Sequence, residues 1–314
     1  MTAIQTVSAV PTLPTYEQVP ETQYELDWVD LETLDLSLFD KPRGKDTLAK
    51  QLFNALDETG FFYVTKFDLS QETVDRQFAI GRELFSRSTE EKLRYRADLE
   101  NGGYNGYKPL GLREVRPGIQ DNTEIYNIPK FIPELERPHP EIINAHREEI
   151  EQFARNISEK VAGKLLVLLA IILELPEDFF LQKHRYGERS DCHLRYMRYH
   201  VRTPEQNAAL ENVWIKGHTD FGSLTLLFPE PVAALQVRTP EGEWKPEDDV
   251  ELNPIKSNVL DKLGYTETPD ESVVGIIAGE WVKARVKKGV AKEQVRSEQK
   301  EEAIVGGKSA KYYD

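Results

Sequence analysis

Helical spacing dominates the first half of the chain. Leu48, Leu52, Ala55 and Leu56 share one face of a helix that Asp46 caps and Gly60 stops. Val74, Phe78, Gly81 and Phe85 align on a second helix entered at Ser70, and Ser88 with Glu91 forms a capping box for a third helical turn. Ile142, Ile143, His146 and Ile150 repeat at the same spacing after Pro140. Residues 140–175 therefore read as one long helix whose Leu165 to Leu175 end is buried. Trp28-Val29-Asp30-Leu31 and Phe61-Phe62-Tyr63-Val64 read as short strands between the first helices.

Beyond about residue 190 the period shortens to two. Leu194 to Tyr199 alternates, as does Leu224 to Phe228, and Thr239-Pro240-Glu241-Gly242 joins two further strand segments into a hairpin. Helices followed by short alternating strands predict an α+β fold, a helical layer against an antiparallel double sheet. Residues 1–25 lack periodicity and read as a flexible arm. They precede a helical region over 26–190 and a sheet region over 191–250. Residues 251–290 close in a helix with Ile277, Trp281, Val282 and Val286 on its apolar side, and 291–314 form a charged tail.

Composition narrows the functional classes. The 314 residues, 39% of them hydrophobic, suffice for one large domain or two small ones. The net charge of −14 argues against nucleic acid or an anionic membrane as partner. The apolar run Leu165 to Leu173 is too short to span a bilayer. A single cysteine, Cys192, fits a reducing compartment, and the first twenty residues carry no secretory signal, so a cytoplasmic protein is expected.

Candidate chemistry centres on Gly217-His218-Thr219-Asp220-Phe221-Gly222-Ser223-Leu224. At the entrance to an apolar strand, His218 and Asp220 would project to the same side. They supply two members of the 2-His-1-carboxylate face that holds non-haem Fe(II) and leaves positions open. His139-Pro140-Glu141 and His146-Arg147-Glu148 share the spacing. On a helix, however, residues two apart diverge by about 200°, so His146 and Glu148 cannot share an ion. His139 reads as an exposed turn residue. The glycine-rich loop Asn101 to Tyr107 lacks the strand-before, helix-after setting of a phosphate cradle.

Three segments together resemble the iron/2-oxoglutarate-dependent dioxygenases of the isopenicillin N synthase-like group. They are Ala55 to Val64, Leu194-Arg195-Tyr196-Met197-Arg198-Tyr199-His200, and Gly217 to Leu227, and the resemblance runs from Trp28 to about Lys245. It implies a double-stranded β-helix (jelly roll) wrapped by an N-terminal helical region. It also implies Fe(II), 2-oxoglutarate, O₂ and ascorbate, and a small organic substrate that is hydroxylated or desaturated, with a flavour of secondary metabolism. His218 and Asp220 match the first two iron ligands. Tyr199 matches the tyrosine of an Asn-x-Tyr element that binds a carboxylate of 2-oxoglutarate, with Met197 in the asparagine position. Tyr199 reads equally as a sheet tyrosine packing its ring.

The chain also departs from that family. No histidine follows His218, and the distal histidine and Arg-x-Ser element have no counterpart in an apolar strand; Arg296-Ser297 reads as solvated surface. An internal loss between about Lys245 and Leu252 accounts for this and leaves an incomplete jelly roll. The strand beside Trp244 then gains an open edge, Leu224, Leu226 and Leu235 lose cover, and self-association through that edge is expected. His193 and His200 read as structural, and Glu251 or Asp261 could substitute as third ligand. Tyr104 and Tyr107 are either pocket contacts or loop anchors. The alternative to a working oxidoreductase is a catalytically impaired relative from a truncated or mis-spliced gene, acting at most as a binding protein.

Overall fold

The computed structural model describes residues 12–24, 28–215, 218, 220, 222–233 and 235, and the paired backbone segments 301–303 and 309–311. Strand β1 (Thr33–Asp35), helix α1 (Gly44–Glu58) and strand β2 (Tyr63–Thr65) form a β-α-β unit, with Leu34 opposite Val64 in parallel register. Helices α2 (Gln71–Ser86) and α3 (Thr89–Leu93) follow. Next come β3 (Gly106–Lys108), the bulged pair β4 (Glu114–Arg116) and β5 (Ile119–Gln120), and β6 (Thr123–Pro129). Helices α4 (Glu141–Ala145) and α5 (Arg147–Asn156), a π-helical segment at Ile157–Ala162 and α6 (Gly163–Ile172) lead to β7 (His193–Tyr199) and α7 (Pro204–Ala209). A last antiparallel pair joins β8 (Glu301–Ala303) to β9 (Ser309–Lys311), so the expected charged tail contains paired strands.

Two apolar clusters organise these elements. Around the antiparallel sheet β3-β6-β7, Ile80, Leu84, Tyr107, Tyr126, Ile142, Ile143, Ile150 and Tyr196 are buried together. Around β1 and α1, Leu34, Leu48, Leu52, Val161, Leu165 and Leu168 form the second. The run from Glu141 to Ile172 serves both, which explains why it is not the single helix that its periodicity predicts. It breaks at His146 (φ −111°) and passes through the π-helical segment before α6 reaches α1. That extra turn re-phases the apolar face from one cluster to the other.

Local signals succeed where the partner is close in sequence. Ser70 caps α2 by accepting from the Thr73 N–H, and the Ser88 side chain accepts from the Glu91 N–H. Elsewhere the structure corrects the expectation. The first strand lies at 33–35 rather than Trp28 to Leu31, and the next begins at Tyr63 rather than Phe61. Helix α1 starts at Gly44 after a left-handed Arg43, leaving Asp46 in the first turn, where its charge still suits the helix dipole. Gly44 is required because a side chain there would collide with the Leu38 carbonyl.

Residues 12–24 are anchored rather than a free arm. Leu13 is buried, Tyr16 stacks on Phe78 at 5.1 Å and bonds Glu230, and the Thr22 N–H donates to the Pro231 carbonyl at 3.1 Å. Leu224 to Phe228 has no ladder partner among the described residues. Instead Leu224 and Leu226 pack against the second cluster, and the Phe228 ring lies 5.4 Å from Phe153. These two leucines thus keep their cover, whereas Leu235 is 61% exposed. The hairpin at Thr239 to Gly242, the inferred gap near Lys245, the helix around Trp281 and Arg296-Ser297 lie outside the described residues.

His139 is buried, not an exposed turn residue: its Nδ1 and the Tyr126 hydroxyl are 2.8 Å apart, and burial holds the imidazole down to a pKa of about 4. A depressed folded pKa means that the unfolded chain takes up the proton first. Stability from neutral His139 is therefore complete above its ordinary value of 6.5 and falls by about 3 kcal/mol as pH drops towards 4. Urea titrations across this window should show that slope, and His139→Gln should flatten it. Gly106 (φ +112°) has Arg137 and the Tyr95 carbonyl where a Cβ would stand. Gly106→Ala is expected to cost more than about 1–3 kcal/mol, read as a lowered urea midpoint.

Candidate active site

The site is built from β7 outward. Seven residue pairs join β6 to β7, from Thr123 opposite Tyr199 to Pro129 opposite His193. Side chains alternate across a strand, so Leu194 and Tyr196 face the helical layer while His193, Arg195, Met197 and Tyr199 face the other way. Tyr196 fixes the choice: it is buried, donates to Gln77 Oε1 at 2.8 Å, and lies against Gly81 of α2.

On the opposite face, Arg195 Nε donates to Asn127 Oδ1 at 2.9 Å, and Asn127 Nδ2 donates to the Tyr104 carbonyl at 2.7 Å. The Tyr104 hydroxyl donates to the Asp191 carbonyl at 3.1 Å, and its ring meets His193 edge-on at 5.2 Å. Tyr199 is 42% exposed, with its ring centroid 6.0 Å from that of Trp214. Tyr199 stands on the same face of β7 as His193 and Arg195.

His218 and Asp220 lie in irregular chain rather than at the entrance to a strand, but their side chains converge. Nε2 of His218 is 3.5 Å from Oδ1 of Asp220, with the side chains 61% and 50% exposed. The hydrogen bond from His218 is the main reason that the Asp220 carboxyl sits down at about 2; burial opposes it, while Thr225 and the charges of His218 and Arg195 add to it. Metal–ligand bonds of about 2.0–2.2 Å at roughly a right angle separate two donor atoms by about 3 Å, so this spacing fits two ligands of one ion. Among the described residues, no group of three or more His, Cys, Asp or Glu side chains is placed to hold a metal. Glu251 and Asp261 lie outside the described residues.

The remaining candidates have structural partners. His200 Nε2 is 2.9 Å from Glu124 Oε1, and His193 Nδ1 is 2.9 Å from the Asp191 carbonyl. Tyr107 is not a pocket contact: it is 1% exposed and donates to Glu124 Oε2 at 2.8 Å. Glu124 also accepts from Lys92 Nζ at 2.7 Å. Burial alone would raise the Glu124 carboxyl, but its bonds with Lys92, Tyr107 and His200 outweigh that and hold it below the ordinary carboxylate range. Sequence reasoning missed both this network and Arg195. Polar residues interrupt the apolar spacing of Thr123–Pro129, so the sequence gives Glu124 no face. Arg195 could have been found, since it lies four residues from Tyr199 on the same alternating strand.

Comparison with known proteins gives the family. Residues 31–151 match the family model described as non-haem dioxygenase in morphine synthesis N-terminal. The chain is 30% identical to a UPF0676 protein of Schizosaccharomyces pombe, over 77% of this chain and 72% of that protein. It is 26% identical to a 2-oxoglutarate-Fe(II) type oxidoreductase of Emericella nidulans, over 74% and 68% respectively. Among solved structures it resembles a full-length Neurospora crassa protein in complex with alpha-KG, with a TM-score of 0.54 at 19% identity, covering 68% of this chain. This chain spans 66% of that one, just under two thirds of its length. It belongs to the iron/2-oxoglutarate-dependent dioxygenase family. With that family come Fe(II) and 2-oxoglutarate as cofactors. No helix among the described residues is long and apolar enough to cross a membrane.

The Lys92–Glu124 pair is 7% and 2% exposed, and Glu124 also contacts His200, just past the Tyr199 end of β7. Lys92→Met strands a buried carboxylate and is expected to cost about 3–5 kcal/mol in denaturant unfolding. His200→Ala, nearer the surface, should cost less than half as much.

Proposed function

We propose that this chain is an Fe(II)- and 2-oxoglutarate-dependent oxidoreductase acting on a small organic molecule, with His218 and Asp220 as iron ligands and Tyr199 beside the cosubstrate. The observation that carries this reading is the 3.5 Å approach of His218 Nε2 to Asp220 Oδ1. Bound iron and 2-oxoglutarate supply, with O₂, the oxidising power for hydroxylation or desaturation. The residues prepare that chemistry. Asp220 is held below the ordinary carboxylate range, chiefly by the hydrogen bond from His218, so it offers a metal ion an ionised oxygen donor. Tyr199 offers a phenol on the open face of β7, and the wall formed by Asn127, Tyr104 and His193 limits how a ligand can lie there. An incomplete jelly roll over 191–250, open to self-association at its edge, belongs to the same proposal, as does action in cytoplasmic secondary metabolism.

A second reading, a family member with impaired turnover, is favoured by two observations. No histidine follows His218 in the sequence, and the described residues gather no three-donor set. Anaerobic Fe(II) titration followed by 2-oxoglutarate-dependent O₂ uptake separates the two. Stoichiometric iron binding that weakens at least about tenfold in Asp220→Ala, together with O₂ uptake, is expected for the first. Iron binding without uptake supports the second. No iron binding in the wild-type chain contradicts the assignment of both ligands.

A further inference from the structure

Four side chains around the open face of β7 share one condition. His193, Arg195, Tyr199 and Tyr104 all retain contact with solvent. Yet the protein packed around each favours its uncharged form: His193 and Arg195 titrate below their ordinary values, Tyr104 and Tyr199 above theirs. Water reaches these head groups, but the protein beside them weakens their hydration. A guanidinium sits among them.

That guanidinium is held in place. Nε donates to Asn127 Oδ1 at 2.9 Å, Nη2 lies 3.3 Å from His193 Nε2, and Asn127 is itself tied to the Tyr104 backbone. Among the described residues, Nη1 has no acceptor and Arg195 makes no direct ion pair. The nearby carboxylate of Asp220 acts on it only through space. Once Asp220 gives its charge to a metal ion, the arginine has no counter-ion among the described residues. A fixed, partly desolvated cation with a free donor edge is suited to a planar pair of anionic oxygens.

We infer that Arg195 is the anion-recognising residue of this site and binds the carboxylate of a small organic acid lying against the β6–β7 face. The inference rests on the iron reading only for the charge balance at Asp220. The carboxylate belongs either to 2-oxoglutarate or to an acidic substrate, and the contact has the same chemistry in both cases. Tyr199, four residues along the same face, brackets the ligand from the side.

Calorimetry on the full chain loaded with Mn(II) tests this, using wild type, Arg195→Met and Arg195→Lys with matched melting temperatures. The probes are 2-oxoglutarate, 2-oxopentanoate (which lacks the distal carboxylate) and benzoate. If Arg195 holds the distal carboxylate of 2-oxoglutarate, Arg195→Met weakens that ligand about 10- to 100-fold and leaves 2-oxopentanoate unchanged. If it holds an acidic substrate, 2-oxoglutarate is unchanged and benzoate binding is lost. Arg195→Lys, which keeps the charge without the fork, falls between wild type and Arg195→Met, and carries the test alone if the methionine variant does not fold. Equal affinity for every acid in wild type and variants, or no acid binding by the wild type, overturns the inference. Repeating the titrations without metal separates the two readings. Acid binding that depends on Arg195 in a chain that takes up no metal sinks the iron assignment and leaves the anion site standing.

Discussion

The antiparallel pairing of β6 with β7 is the constraint from which the site follows. A one-residue slip in that register would exchange the two faces of β7, expelling Tyr196 from its place between Gln77 and Gly81. Burial of that ring and its hydrogen bond therefore fixes where Arg195 and Tyr199 stand, although neither takes part in the core. The open face is specified from behind, by the packing of the closed one.

Beneath the same strands, polar groups add a second restraint. Glu124, on the helical side of β6, draws in Lys92, Tyr107 and His200 from three other parts of the chain. Such a network stabilises only when complete, because any member left alone is a buried, unpaired group. Its completion ties α3, β3 and the end of β7 together just behind Tyr199. His218 and Asp220 are positioned differently. The segment that follows them has no ladder partner among the described residues and is held by Leu224, Leu226 and Phe228 against the helices, and by the clasp of Tyr16 and Thr22 on Glu230 and Pro231. Apolar contact and a strap from the N-terminal segment do there what strand pairing does for β7.

What could be read from the sequence was what local spacing decides. The Ser70 cap, the apolar faces of α1 and α2, the alternation of β7 and the pairing of His218 with Asp220 all depend on residues within a few positions of one another. The failures are long-range. Strand β6 mixes Glu124 and Asn127 into an otherwise apolar run, and only partners far along the chain make those polar residues acceptable inside. His139 looked like a turn residue because the Tyr126 hydroxyl that satisfies it comes from β6. The run after Pro140 kept helical spacing throughout, so the break at His146, needed to serve two clusters, left no local trace. Leu224 to Phe228 alternates as a strand would, yet its alternation is used to face the helices. The family was legible from three short segments, whereas the tie between Arg195 and Asn127 depends on the long-range register of β6 with β7.

A crystal structure of the full chain prepared anaerobically with Fe(II) tests the central claim most directly. The account predicts anomalous density within about 2.0–2.2 Å of both His218 Nε2 and an oxygen of Asp220. An ion bound at any other cluster, or these two side chains turned apart with no metal between them, would contradict it.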